Sequence, residues 1–441
     1  MLSNILCEFY MKKFFVGLVL TLLLPLTALA QTDIYIRGSG KLFPIALPQL
    51  CLKSGESKAN REIPRIIAKN LIISGYFEVL NPEAYIEEPG KCLAPQDVVY
   101  SDWSVIGAEG LVRGTVEQAA SQITIRLYLH DISRQRVVLG KEYSGSSEQI
   151  RAIAHKFSNE ILRFFTGQAG VFGSQIAFSS KVGRFKELFV MDMDGSNIRQ
   201  LTDDRGLAVS SSWHPAGQML IYTSYRKRRP DLFTINLLSR RIQQITNNPD
   251  LELGGKFNKD GSLILASRSS GKESDIVLMR PDGAVIRRLT RPNGSIDVSP
   301  DWSPDNSRIV FCSDRSGGPQ IYVMNADGSN QHRISFVSSN YCTSPVWSPA
   351  GDKIAFVCRA ERGFNLFISD TDGSNPLQLT SYGNNEDPSW SPDGRYLAFA
   401  TTFGRGSVTH IAIIRNDGSS LTQITHGRNS DSQPAWGPLP H

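Results

Sequence analysis

Histidine, cysteine and carboxylate side chains could do chemistry in this chain, and their spacing argues against a catalytic centre. The seven histidines stand at 130, 155, 214, 332, 410, 426 and 441. No two form the H-E-x-x-H pair that grips zinc from one helix face. No G-x-S-x-G elbow presents a nucleophilic serine. Gly38-Ser39-Gly40-Lys41 lacks the upstream glycine and the following Ser or Thr of a phosphate loop, so it reads as a turn. The acidic turn residues are spread one per repeat, without the dense ligand set of a calcium loop. None of the six cysteines forms a C-x-x-C pair, which leaves zinc and dithiol redox chemistry unsupported. No metal, no cofactor and no catalytic residue is expected.

The elements that carry these side chains repeat. Aromatic anchors stand at Trp213, Phe257, Trp302, Trp347, Trp390 and Trp436, 43 to 46 residues apart. Most lead into a turn such as Ser391-Pro392-Asp393-Gly394, then an apolar strand such as Leu397-Ala398-Phe399. A further strand runs into an Asp-Gly turn at 194–195, 282–283, 327–328, 372–373 and 417–418. Each copy closes on Leu-Thr or a relative, as at Leu201-Thr202 and Ile334-Ser335. Four short strands in about 45 residues make a propeller blade. Asp-Gly supplies the positive φ of a tight hairpin and Pro presets φ in the other turn, so these residues read as structural. Residues 175–202 lack an anchor strand before them, and the anchor at Ser432–Trp436 has no strands after it. Together they make one composite blade, giving six blades whose two open edges hide each other.

Propeller geometry places the loop entering each anchor strand at the mouth of the central channel. Five residues before the anchors stand Ala208, Glu252, Asp297, Cys342, Asn385 and Asp431, with Tyr341, Glu386 and Asp387 adjoining. Loops between second and third strands share that face and carry Arg226, Arg315 and Arg405. The expectation is an acidic inner ring within a basic outer ring, on exposed loops of a rigid scaffold, where recognition concentrates.

The N-terminal part has another texture. Lys12 and Lys13 precede an uncharged apolar run from Phe14 to Ala30 ending Ala28-Leu29-Ala30, the pattern of a secretory leader over residues 1–30, with Met11 as the expected initiator. Cleavage would leave about 410 residues and a mildly positive charge, against +5 for the entire chain, too little to argue for nucleic acid. It would also leave Cys51, Cys92, Cys312, Cys342 and Cys358. Cys51–Cys92 and Cys342–Cys358 are candidate disulfides, and buried thiols fit the residues equally. Residues 31–166 read as an α/β domain and 167–174 as a linker. Asp33-Ile34-Tyr35-Ile36-Arg37 alternates like a strand. Asn60 caps a helix towards Ser74, with Pro64 in its first turn and Gly75 as its stop. Phe77–Leu80, Gly110–Val116, Ile123–His130 and Arg136–Tyr143 read as strands. The capping box Ser146-x-x-Gln149 opens a second helix that buries Ile150, Ile153, Phe157, Ile161 and Phe164 and stops at Gly167.

The Trp-Ser-Pro-Asp-Gly anchors, the Asp-Gly-Ser turns and the order of parts resemble the TolB family over essentially the entire chain after the leader. The resemblance implies a periplasmic, non-enzymatic member of the Tol–Pal envelope system, monomeric and peripheral to the outer membrane. It implies a Pal-like lipoprotein on the propeller and a TolA-like inner-membrane protein on Asp33, Ile34, Tyr35, Ile36 and Arg37. It also implies a role in outer-membrane integrity and in constriction at division. From the residues alone, that N-terminal strand either packs on its own domain or adds to a partner's sheet edge. Two other readings are a hydrolase using Asp297 and Glu386, for which nothing singles out a matched acid–base pair, and a glycan binder using the Arg226–Arg229 run.

Overall fold

A computed structural model describes residues 41–291, 294–361, 363–403 and 408–439. The leader, the Asp33–Arg37 segment and Arg405 lie outside the described residues. The α/β part runs β1 (Phe43–Ala46), β2 (Cys51–Ser54), α1 (Ala59–Ser74), β3 (Phe77–Val79), α2 (Tyr100–Ser104), β4 (Gly110–Ala119), β5 (Gln122–Asp131), β6 (Arg136–Ser146) and α3 (Ile150–Thr166). The sheet order is β3-β1-β4-β5-β6, with β2 also pairing β4. Pairs β1–β3, β1–β4 and β2–β4 are parallel, and β4–β5–β6 is an antiparallel meander.

Local signals explain most of these elements. Gly75 at φ +72° and Gly167 at φ +76° stop the helices in the left-handed conformation that glycine adopts without a Cβ penalty. The capping box is formed, with Ser146 and Gln149 satisfying each other's backbone N–H. Two expectations fail. The first helix starts at Ala59 after Lys58, with no side-chain cap, and Asn60 is buried inside its first turn. Phe165, not Phe164, is the aromatic buried at the end of α3, where it packs against Phe43 and Phe77 of the sheet edge. Ile67, Leu71, Phe157 and Ile161 are fully enclosed. Each such side chain contributes about 1.5–3 kcal/mol. Between α1 and α3, the Asn70 amide donates to His155 Nδ1 (3.0 Å) and to Ser158 Oγ (2.9 Å).

The propeller comprises six four-stranded antiparallel sheets, five of them sequential from Ala208 to Gln423. The sixth joins the last strand, Asp431–Trp436, to Gln175–Val182, Phe185–Asp192 and Arg199–Gln200. Apolar clusters sit between successive blades, with Trp302, Trp347 and Trp390 at three of these seams. The closing Leu-Thr of each repeat has a physical cause. Its hydroxyl accepts the backbone N–H of a third-strand residue in all six blades, from Leu188 (2.9 Å) round to Ile411 (2.8 Å). Gly373, at φ +86°, shows why Asp-Gly recurs: a Cβ there would meet the Ile334 carbonyl of the preceding blade at 2.0 Å. Cys51–Cys92 and Cys342–Cys358 are disulfides, and Cys312 is a buried thiol that burial pushes up to about 11.

Candidate functional site

Strand direction divides the propeller loops between two faces. Antiparallel strands alternate direction, so loops entering each innermost strand and loops joining second to third strands share one face. The Asp-Gly turns and the turns after the aromatic anchors share the other. The chain's own α/β part docks on this second face. Arg151 of α3 forks onto Asp192 and Asp194 at 3.0 Å each, and Tyr396 Oη donates to the Ser74 carbonyl at the end of α1 (3.1 Å). Arg415 lies 4.2 Å over the Tyr76 ring, and Arg395 donates to the Ala169 carbonyl (2.7 Å). All of these propeller residues lie at the turn ends of their strands. The loop face keeps none of these contacts.

The expected acidic ring takes a different form on that loop face. Glu252, Asp297, Asn385 and Asp431 are buried, at 0 to 5% exposure, rather than displayed on loops. Each stands at or next to the start of an innermost strand and pairs with the end of the second strand: Glu252 opposite Arg268, Asn385 opposite Thr401, and Asp297 opposite Ser313, two residues before Arg315. Glu252 bonds Arg268 (2.9 Å), and Asp297 takes Arg315 at 3.0 and 3.1 Å through both oxygens. Asn385 accepts from the Thr401 hydroxyl (2.7 Å) and donates to the Phe364 and Tyr382 carbonyls. Arg315 is correspondingly tied down, bonding Gln331 and Ser313 as well. These residues hold the blade mouths together. Glu386 and Arg226 are exposed as expected, although Arg226 also reaches Asp204 (3.4 Å).

A feature the repeat marks only by a proline after the bulged residue in four of six blades shapes the channel. In every innermost strand the register slips at a bulge, where one residue takes a positive φ of 52 to 65°: Ser210, Gly254, Ser299, Ser344, Asp387 and Gln433. All six line a central cavity of about 120 Å³. Burial, with neighbouring Glu386 adding to it, pushes the Asp387 carboxyl up to about 6. A folded value above the unfolded one means stability that is complete at low pH and lost as pH rises through 6. Asp387→Asn is therefore expected to match the parent's melting temperature at pH 4. At pH 7.5 it should exceed the parent by up to about 3 kcal/mol. Equal stabilities at both pH values would refute the assignment.

What the loop face does expose is aromatic and aliphatic. Phe336 is 65% exposed and Tyr382 71%, both on loops entering innermost strands. Leu207 and Ile296 occupy equivalent loops, and Phe403 follows a second strand. Beside Phe336 opens a cleft of about 730 Å³ lined by Gly318, Arg333, Ser339, Asn340, Arg359 and Glu361. Tyr341, half-buried, lies under the Arg359 guanidinium (4.7 Å) and edge-on to Phe364 (5.7 Å). These apolar side chains share the face with exposed charges such as Arg226 and Glu386. Sequence reasoning missed Phe336, Tyr382 and Phe403, since single aromatics in loops carry no period.

Fold and face together define a class: a six-bladed propeller closed by its last strand, carrying an α/β domain on its turn face and open loops on the other. Residues 162–440 match the family described as the TolB beta propeller domain, and residues 33–138 the TolB amino-terminal domain. The chain belongs to the TolB family. It is 36% identical over 259 residues to the Tol-Pal system protein TolB of Anaeromyxobacter dehalogenans strain 2CP-1, a match spanning 59% of each chain. It is 31% identical over 300 residues to a protein TolB homolog of Chlorobium luteolum, covering 67% of this chain and 68% of that one. The crystal structure of TolB from Acinetobacter baumannii shares the fold, with a TM-score of 0.79 at 24% identity over 90% of this chain and 97% of that one.

Proposed function

We propose that this chain is the TolB component of a Tol–Pal-type envelope system, a periplasmic binding scaffold rather than an enzyme. Its propeller loop face holds a Pal-like lipoprotein, and the segment Asp33–Arg37 engages a TolA-like inner-membrane protein. In this role it supports outer-membrane integrity and envelope constriction at division. The observation that carries the reading is the loop face itself, where Phe336 and Tyr382 stand exposed beside a cleft on the side away from the α/β contacts. Aromatic anchors of this kind supply most of the energy of protein interfaces. Glu386 and Arg226 add charge that steers a partner and fixes its register. The hydrolytic alternative needs Asp297, which is fully buried and bound by Arg315.

Calorimetry with the soluble domain of a Pal-like lipoprotein tests the reading. Phe336→Ala and Tyr382→Ala are each expected to weaken binding about tenfold, roughly 1.4 kcal/mol, with melting temperature unchanged. Glu386→Lys should weaken it less, with the loss largest at low salt and the salt dependence reduced. Deleting Gln31–Ile36 should remove binding to a TolA-like domain and leave the lipoprotein bound. Undiminished lipoprotein binding by the double aromatic variant would refute the face. TolA-like binding that survives the deletion would refute the N-terminal site.

A further inference from the structure

The cleft beside Phe336 carries two arginines for which the blades supply no acid. Three other arginines at or just past the ends of second strands each meet a carboxylate of the blade mouth. Arg226 meets Asp204, Arg268 meets Glu252 and Arg315 meets Asp297. Register explains why Arg359 does not. Glu252 and Asp297 face the ends of their second strands across the ladder. In the next blade that place is held by Cys342, which stands opposite Cys358 and is bonded to it. The disulfide takes the carboxylate's position, and Arg359, one residue further on, is left exposed. Arg333, on the outermost strand (His332–Arg333) of the preceding blade, lines the same cleft. Among the described residues neither guanidinium forms an ion pair.

Both side chains are held in place all the same. Arg359 lies 4.7 Å over the Tyr341 ring and 5.5 Å over Phe364. Arg333 lies 5.8 Å over the exposed Phe336 ring, and its Nε donates to the Ser335 carbonyl (2.8 Å). Stacking occupies the faces of a guanidinium and leaves the N–H donors along its edges free for an acceptor. The walls around them are preformed. The Ser339 hydroxyl donates to the Arg359 carbonyl (2.8 Å), and the Gln320 amide donates to the Ser339 carbonyl (3.2 Å). These bonds tie the loop between the two blades to both of them. Gly318 brings a further loop against the same segment, where a Cβ would meet the Asn340 carbonyl oxygen at 2.7 Å. Ser338 and Asn340, exposed on that segment, add neutral donors, and the one carboxylate of the lining is the exposed Glu361.

Guanidiniums with free edge donors match the planar, two-oxygen geometry of a carboxylate. We propose that this cleft binds an acidic peptide segment of the protein partner, its carboxylates on Arg333 and Arg359 and a neighbouring apolar side chain on the Phe336 ring. The inference rests on the reading of the loop face as the partner surface. A peptide fits better than an anionic bilayer for two reasons. The arginines line a cleft of about 730 Å³, the size of a ligand site, which a flat layer of headgroups does not enter. Glu361 would also meet such a layer with like charge.

The probe is an acetylated, amidated tetrapeptide of two aspartates flanked by leucines, titrated into the full chain after the leader with arginine Nε labelled for NMR. The expected result is a saturable shift of two arginine signals, the ones lost in Arg333→Gln and in Arg359→Gln. Each of these variants should weaken binding about tenfold. Melting temperature should hold, because Arg359 is exposed and Arg333 partly so. The diasparagine peptide should bind about tenfold more weakly, and Glu361→Gln should tighten the acidic peptide about twofold. Equal binding of the diasparagine peptide, or full binding by either arginine variant, overturns the proposal. So do phosphatidylglycerol vesicles that capture the chain through the same two arginines. Calorimetry with the soluble domain of a Pal-like lipoprotein separates this inference from the reading beneath it. Both arginine variants should lose affinity there, as Phe336→Ala does. Loss with Phe336→Ala alone overturns the acidic contact and keeps the face. Lipoprotein binding that ignores all three variants, beside peptide binding that needs both arginines, overturns the face and keeps the acid site.

Discussion

Deleting Ser430–His441 is expected to abolish soluble, folded protein. Those residues contain the innermost strand of the composite blade, Asp431–Trp436, which pairs with Ile176–Ser180. Contacts well beyond the ladder go with it. Trp213 Nε1 donates to the Ala435 carbonyl (2.8 Å), and Trp436 Nε1 donates to Ser174 Oγ (2.8 Å) beside the α/β junction. Ala435 also belongs to the apolar cluster that joins the composite blade to the next, with Leu188, Tyr222 and Phe233. Losing a buried Trp alone costs about 3–5 kcal/mol, a large part of the roughly 5–15 kcal/mol that holds a typical domain folded. The deletion also opens two strand edges, which template aggregation. Expression followed by fractionation and circular dichroism reads the outcome. A soluble truncated protein with the parent's melting curve would refute closure by this strand.

Asp297→Lys is expected to cost about 3–5 kcal/mol of stability, the penalty for breaking a buried ion pair. Asp297 is wholly enclosed and accepts from Arg315 through both oxygens. The substitution would place an ammonium against that guanidinium inside the blade mouth. Glu386→Lys, on an exposed side chain of the same face, should change stability by no more than about 0.5 kcal/mol. Urea midpoints of the two variants separate the cases. An Asp297→Lys variant as stable as the parent would show that the mouth carboxylates are free to meet a partner.

Local chemistry made much of this protein legible in its sequence. Asp-Gly and Pro turns, alternating apolar strands and a 43-to-46-residue period determine six blades, and the unmatched first and last pieces determine how the ring closes. Gly75, Gly167 and the Ser146–Gln149 box mark helix ends because their effects depend on neighbouring backbone alone. Three things were decided only by tertiary structure. Asn60 loses its cap role because α1 begins earlier and burial claims its side chain. Glu252, Asp297, Asn385 and Asp431 look like loop carboxylates and amides, but cross-strand register sets each beside a partner and neighbouring loops enclose it. The channel bulges occur at Ser, Gly, Asp and Gln alike. A proline follows the bulged residue in four of the six repeats, but that the strand there slips its register by a positive-φ bulge is set by pairing with the second strand, which only the tertiary structure shows.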